Sequence, residues 1–200
     1  MVHFSRVAVK DRKREIVDQA IEYMERNGIG DLTLRGLAAA LGTSHRMLIH
    51  HFGSKEGLWV AIVREVEARQ RVILAEVLPD AGKPVGDALR EWWKHLSDPA
   101  LWPNERLFFE LYGRALQDEG LAQAFLEGIV EDWLAPGTEI NMAYGLPPEL
   151  ARAHARLGIA AVRGLLLDLL ATGDVAGVDA AMEAFIDVYV NWVEQYAAQA

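Results

Sequence analysis

Apolar residues recur along this chain at three- and four-residue intervals, interrupted by Gly and Pro, and nowhere in the two-residue alternation of a half-buried strand. The pattern predicts an all-α protein. In a first window, from about residue 10 to 27, Ile16, Val17, Ala20, Ile21 and Met24 share one face, and Gly28 closes it. Leu34, Leu37, Ala38 and Leu41 mark a second helix, entered from Thr33 as N-cap and stopped by Gly42. Ser44 caps a third that runs to His51, with Phe52 behind it as a large apolar plug. Ser54 opens a fourth, which carries Leu58, Ala61, Ile62, Val66, Val72, Ile73 and Val77 to about Leu78 before the Pro-containing segment 79–84 ends it. Ser54 is assigned as a cap alone, because a capping box needs Glu or Gln three residues on and Gly57 stands there. Further helices are predicted over 85–97, 105–117, 121–133, 148–171 and 175–199, and Pro136 with Gly137 is expected to kink or break the stretch reaching Tyr144.

Two short helices joined by a Gly turn, with another before them, make a helix-turn-helix. Charge bears on what it could contact. A formal net charge of −9 would argue against a polyanionic partner if it were uniform, but it is not: residues 1–60 hold nine Lys/Arg against seven Asp/Glu, and the rest eleven against twenty-two. A mildly basic front therefore precedes an acidic body, with Arg6, Lys10, Arg12, Lys13 and Arg14 clustered near the start. Such a cluster is by default a solvated arm; in a DNA-binding protein it would reach phosphates or the minor groove. Two hundred residues, 52% hydrophobic and 24% charged, suffice for a substantial core. No cysteine is present, so disulfides, thiolate metal sites and thiol nucleophiles are excluded. Without a secretory leader or an apolar run of membrane-spanning length, the expectation is a soluble, cytoplasmic protein with no membrane partner.

The stretch LTLRGLAAALGTSHRMLIHHFGSKEGL, with a helix before it, resembles the DNA-binding domain of the TetR family of bacterial transcriptional regulators. The family pattern of a Gly turn, a short recognition helix ending in His-Phe and a Lys-Glu pair opening the next helix is matched by Gly42, His51-Phe52 and Lys55-Glu56, over roughly residues 10 to 63. The resemblance implies that 44–51 enters the major groove while Thr33, Arg35 and Lys55 approach phosphates. It also implies a DNA-binding domain over 1–57 and a helical effector-binding and dimerisation domain over 58–200, joined by a long helix. One departure stands in the recognition helix: the family commonly carries Tyr two residues before the His of that pair, and here the position is Ile49. The polar groups offered are Ser44, His45, Arg46, His50 and His51, with Met47 or Ile49 for a thymine methyl. His51 has a structural reading too, as a cap for helix carbonyls. Three histidines in seven residues do not make a metal site, since His50 and His51 point to different sides of a helix and no carboxylate or thiol stands at ligand spacing.

Aromatic residues crowd the middle of the body. Aromatics at helical spacing form cores, yet this is the region where the resemblance implies a small-molecule pocket, with Trp92, Trp93, Phe108, Phe109, Tyr112, Phe125 and Trp133 as lining. In the last helix Val178, Met182, Phe185, Tyr189, Trp192 and Tyr196 form one stripe, with Ile186, Val190, Val193 and Ala197 beside it. So wide an apolar arc calls for a second partner, and the preceding helix offers small residues for close approach. An isologous homodimer follows, built on Gly158, Ala161, Val162, Leu165, Phe185, Tyr189, Trp192 and Tyr196. These features together predict a ligand-responsive repressor acting on a palindromic operator, with no cofactor. A helix-turn-helix module that organises DNA or binds protein without an effector is the alternative. An all-α enzyme is more remote, because no catalytic triad spacing, HExxH or phosphate-binding Gly loop is present.

Overall fold

The computed structural model describes residues 2–28, 32–77 and 83–197, with side chains over 12–28, 32–76 and 83–196 apart from 122. Among these residues every regular element is a helix, as the periodicity predicts: α1 (Val2–Asn27), α2 (Leu34–Ala40), α3 (His45–Phe52), α4 (Lys55–Val77), α5 (Val85–Leu96), α6 (Trp102–Ala115), α7 (Glu119–Phe125), α8 (Glu131–Ala143), α9 (Pro148–Thr172) and α10 (Val175–Ala197). The side chains of Arg6 and Lys10, and the helix end expected at 199, lie outside the described residues.

The chain divides into two compact units, Met1–Ala68 with Ala100–Phe125, and Arg69–Pro99 with Leu126–Ala200. In the first, Ile16, Ala20, Ile21 and Met24 of α1, Leu37 of α2, Leu48 of α3 and Leu58 and Ile62 of α4 are all buried, none more than 2% exposed. Each such burial contributes roughly 1.5 to 3 kcal/mol, which fixes the short helices α2 and α3 that could not persist alone. This unit also contains α6 and α7. Asn104 of α6 donates to Glu25 of α1 (3.1 Å), Arg114 pairs with Glu56 at the start of α4 (3.4 Å), and Arg64 of α4 donates to the Ala124 carbonyl of α7.

In the second unit α8 and α9 form a helical hairpin whose corner holds Gly145 at φ 95°, while buried Asn141 donates to the Ala151 carbonyl (2.9 Å). On α10, Val178, Met182, Ile186, Tyr189 and Val193 turn inward at three- and four-residue spacing. Tyr189 and Val193 share a core cluster with Val85 of α5 and Ala151 of α9. Polar contacts register α5 on α10, Trp93 donating to Asp179 (2.7 Å) and Arg90 pairing with Glu183 (2.9 Å).

Four element boundaries differ from expectation. α1 begins at Val2, about eight residues before the start expected near residue 10, because nothing before Lys10 breaks a helix. α6 starts at Trp102, with Pro103 in its first turn where the missing N–H costs nothing. The helix expected over 121–133 is two helices, separated at Gly128, whose φ of 80° no right-handed helix accepts. Conversely α8 does not break at Pro136. Gly137 beside it serves packing, since a Cβ there would lie 3.1 Å from that of Ala155 on α9.

Candidate nucleic-acid interface

The turn and caps around α3 are built as the residue types require. Thr33 and Ser44 both take extended backbone angles and accept, through their hydroxyls, from the N–H groups of Gly36 (3.0 Å) and Met47 (3.2 Å). Between the helices Gly42 adopts φ 62°, and the Thr43 N–H returns to the Ala38 carbonyl at 2.9 Å. Past α3, Gly53 at φ 80° donates to Ile49, and Ser54 accepts from Gly57 N–H at 3.0 Å. A Cβ on Gly57 would run into the Phe52 carbonyl, so the position that lacks the capping-box Glu is one where the ends of α3 and α4 touch backbone to backbone.

This anchoring decides what α3 shows to solvent. Leu48 is fully buried and Phe52 nearly so, whereas His45, Arg46, Met47 and His50 are exposed and Ile49 and His51 are half-buried. Arg46 and His50, four residues apart, share the outward face, with Met47 beside them. Around this face lie further exposed cations. Arg35 is on the first turn of α2 and Lys55 opens α4, its ammonium 5.7 Å from the Trp59 ring centre. From α1, Lys13 stands 5.2 Å from the centre of the Phe52 ring, and Arg12 pairs with Glu15 at 2.9 Å. The structure therefore brings every residue expected at the interface onto one small module, with Ile49 and His51 the least accessible.

His51 differs from its neighbours. Its Nε2 is buried with no hydrogen-bond partner, and its ring sits 5.4 Å from that of His50 and 6.3 Å from that of Phe52. Burial first, then the charges of His50, Lys13 and Arg12, push its pKa below the ordinary histidine value. His51 thus packs between the rings of His50 and Phe52, with its neutral form favoured. No group of three His, Cys, Asp or Glu among the described residues could hold a metal ion.

The aromatic residues fall into two sets. Phe108, Phe109, Tyr112 and Phe125 belong to the first unit, with the Phe108 and Phe125 rings 6.0 Å apart and Tyr112 edge-on to Phe125. In the second unit Trp92 and Trp133 are 6.0 Å apart, flanked by His95 stacked on Trp92 and the Arg71 guanidinium over Trp133. Trp93 faces Asp179 instead. On α9 and α10, Gly158, Ala161, Val162, Leu165, Phe185, Trp192 and Tyr196 are half-buried and Tyr189 is buried in its own chain. The exposed large apolar residues there are Leu157, Leu167, Val175 and Val188, which the stripe of aromatic positions did not single out.

Residues 16–62 match the family described as bacterial regulatory proteins, tetR family. The transcriptional repressor AcnR of Corynebacterium glutamicum is 36% identical over 64 residues, which cover 32% of this chain and 34% of that one, so the chain spans about a third of the curated relatives it matches. A solved transcriptional regulator from Rhodococcus sp. RHA1 superposes with a TM-score of 0.72 at 18% identity, covering 90% of this chain and 95% of the other. A TetR variant from Acinetobacter baumannii AYE, solved in complex with minocycline, gives 0.59 at 20% identity over 90% and 94%. The two structural matches carry the fold, and the sequence matches carry the helix-turn-helix. Residues 16–62 are thus similar in sequence to the tetR family of bacterial regulatory proteins, and the helical fold over most of the chain is that of the solved regulators.

Proposed function

We propose that this protein is a sequence-specific DNA-binding transcriptional regulator, a repressor that leaves a palindromic operator when a small molecule binds. The observation that carries the reading is α3: an eight-residue helix held by Leu48 and Phe52 and by caps at both ends, with Arg46, Met47 and His50 directed outward among exposed cations. A helix of this kind fits the major groove, where Arg reads guanine and an apolar side chain meets the thymine methyl. Thr33, Arg35 and Lys55 hold phosphates, and Ser44 and His45 lie at the helix end nearest the bases. Residues 1–57 supply this role, and residues 58–200 the effector and the second copy.

Homodimerisation is supported by exposed Leu157 and Leu167 on α9 and Val188 on α10, apolar groups that a partner would remove from water. Two copies set their recognition helices on successive major grooves, about 34 to 36 Å apart. For the effector, the aromatic residues of either unit offer stacking surfaces, and a ligand acts through its differential affinity for the DNA-competent and incompetent shapes. No helix among the described residues is long and apolar enough to cross a membrane, which supports a cytoplasmic place of action. The test is selection of duplexes from a random pool by the purified protein. Enrichment of a palindrome over bulk duplex at moderate salt is expected, and its absence overturns the reading.

A second reading has its own support. Phe108, Phe125, Trp92, Trp93 and Trp133 are all at most 8% exposed and are packed on neighbouring side chains, as in a filled core. An effector-independent regulator would show no release from the selected duplex across a library of small aromatic and cationic compounds.

A further inference from the structure

Within its own chain α9 turns Ala151, Ala155, Leu166 and Leu169 inward, and its contact with α10 is aromatic, the His154 ring lying edge-on to Trp192 at 4.9 Å and to Tyr196 at 6.3 Å. The face opposite the buried set is different. Ala153, Leu157, Ala160, Gly164, Leu167 and Ala171 are all exposed, follow one another at alternating intervals of four and three residues, and include no charged or hydrogen-bonding side chain. That spacing is the seam along which one helix lies against another, and Leu157 and Leu167 within it are 45% and 50% exposed. A Cβ added to Gly164 would meet nothing within 4 Å, so no contact inside the chain accounts for a glycine, a weak helix former, in the body of α9.

The order of sizes along this seam is a palindrome. Two leucines flank a centre of Ala160 and Gly164, and an alanine closes each end. An isologous contact whose two-fold axis crosses the helix at the level of Val162 sets 153 against 171, 157 against 167 and 160 against 164. Leucine then meets leucine, and the smallest side chains meet where the helices approach most closely. The two helix dipoles oppose each other, and Asp168 stands at the level of Arg156 of the second copy, whereas a parallel pairing sets each charge level with its like. The arginines of α9 leave the seam clear, since Arg152 and Arg156 reach Glu131 of their own chain (2.7 and 3.4 Å) and Arg163 reaches the Ile129 carbonyl (2.7 Å). On α10, Ala181, Ala184 and Val188 are exposed at the same spacing and add apolar surface.

We infer, resting on the two-copy reading above, that the second copy docks on this seam, α9 packing antiparallel against α9 of the second copy with 157 on 167 and 160 on 164. The aromatic stripe expected to meet a partner serves packing within each chain instead: Tyr189 belongs to a core cluster with Val85 and Ala151, and Phe185, Trp192 and Tyr196 pack against that cluster.

The chain has no cysteine, so an introduced thiol reacts without competition. Leu157→Cys and Leu167→Cys are made separately in the full chain and oxidised with copper phenanthroline, each alone and as a mixture that has exchanged subunits, at a concentration where sedimentation finds the dimer. The mixture should yield a disulfide-linked dimer and neither variant alone should, because like positions then lie roughly 15 Å apart along the helix axis, beyond disulfide reach. Gly164→Leu, at a site exposed in the single chain, should weaken self-association by about tenfold or more with helix content unchanged. Linking of either variant to itself, or a dimer whose mixture does not link, overturns the inference and leaves the two-copy reading standing. If the wild-type chain sediments as a monomer at every concentration, the two-copy reading falls and this inference with it.

Discussion

Arg46 is the α3 side chain best suited to base recognition, exposed on the outward face and planar enough to bridge two acceptors of a guanine. Arg46→Ala should cost about 1 to 3 kcal/mol of operator affinity and relax preference at one base pair, read from binding to a panel of single-base variants. An equal loss on every sequence would make Arg46 a phosphate contact. Ile49, standing where the family commonly has Tyr, is half-buried, so the exposed side chains left for the proposed readout are Arg46, Met47 and His50. His51 has both a DNA-contact and a structural reading from spacing alone, and its Nε2 is enclosed without a hydrogen-bond partner.

At the level of elements, α3 is positioned by its junction with α4 as much as by its own caps. Gly53 turns the chain at φ 80°, and Gly57 lets the first turn of α4 rest on the Phe52 carbonyl. Gly57→Ala should therefore push α3 and α4 apart, costing about 1 to 3 kcal/mol of stability by overpacking. Denaturant unfolding reads that cost, and a stabilisation, as the helix propensity of Ala alone would give, would show the contact to be absent. The same logic runs through α8 and α9, where Gly137 admits Ala155. In both places a glycine inside a helix is a site of close approach.

For the molecule as a whole, the proposed function needs two copies. Exposed Leu157, Leu167 and Val188 mark where apolar surface remains after each chain has formed its own core. Burying a leucine contributes roughly 1.5 to 3 kcal/mol, so Leu167→Glu should weaken self-association by about one to two orders of magnitude, measured by sedimentation equilibrium. Unchanged association would move the interface elsewhere. The same variant should retain its helix content, because Leu167 is half exposed, at 50%, in the single chain.

The helical class, the turn between α2 and α3, the caps at Thr33 and Ser44 and the inward set Leu37, Leu48 and Phe52 were all legible in the amino-acid order. Such features arise from interactions within a few residues: periodic burial, a hydroxyl meeting a nearby N–H, a glycine accepting positive φ. What depended on distant parts of the chain was not legible. Seven aromatic residues that share one composition divide into two sets, one for each compact unit. Tyr189, on a stripe assigned to a partner, enters its own core beside Val85 and Ala151. α8 continues through Pro136, and Gly57 owes its identity to a carbonyl five residues back on another helix. Local periodicity says that a side chain is buried, but only the packed structure decides against what.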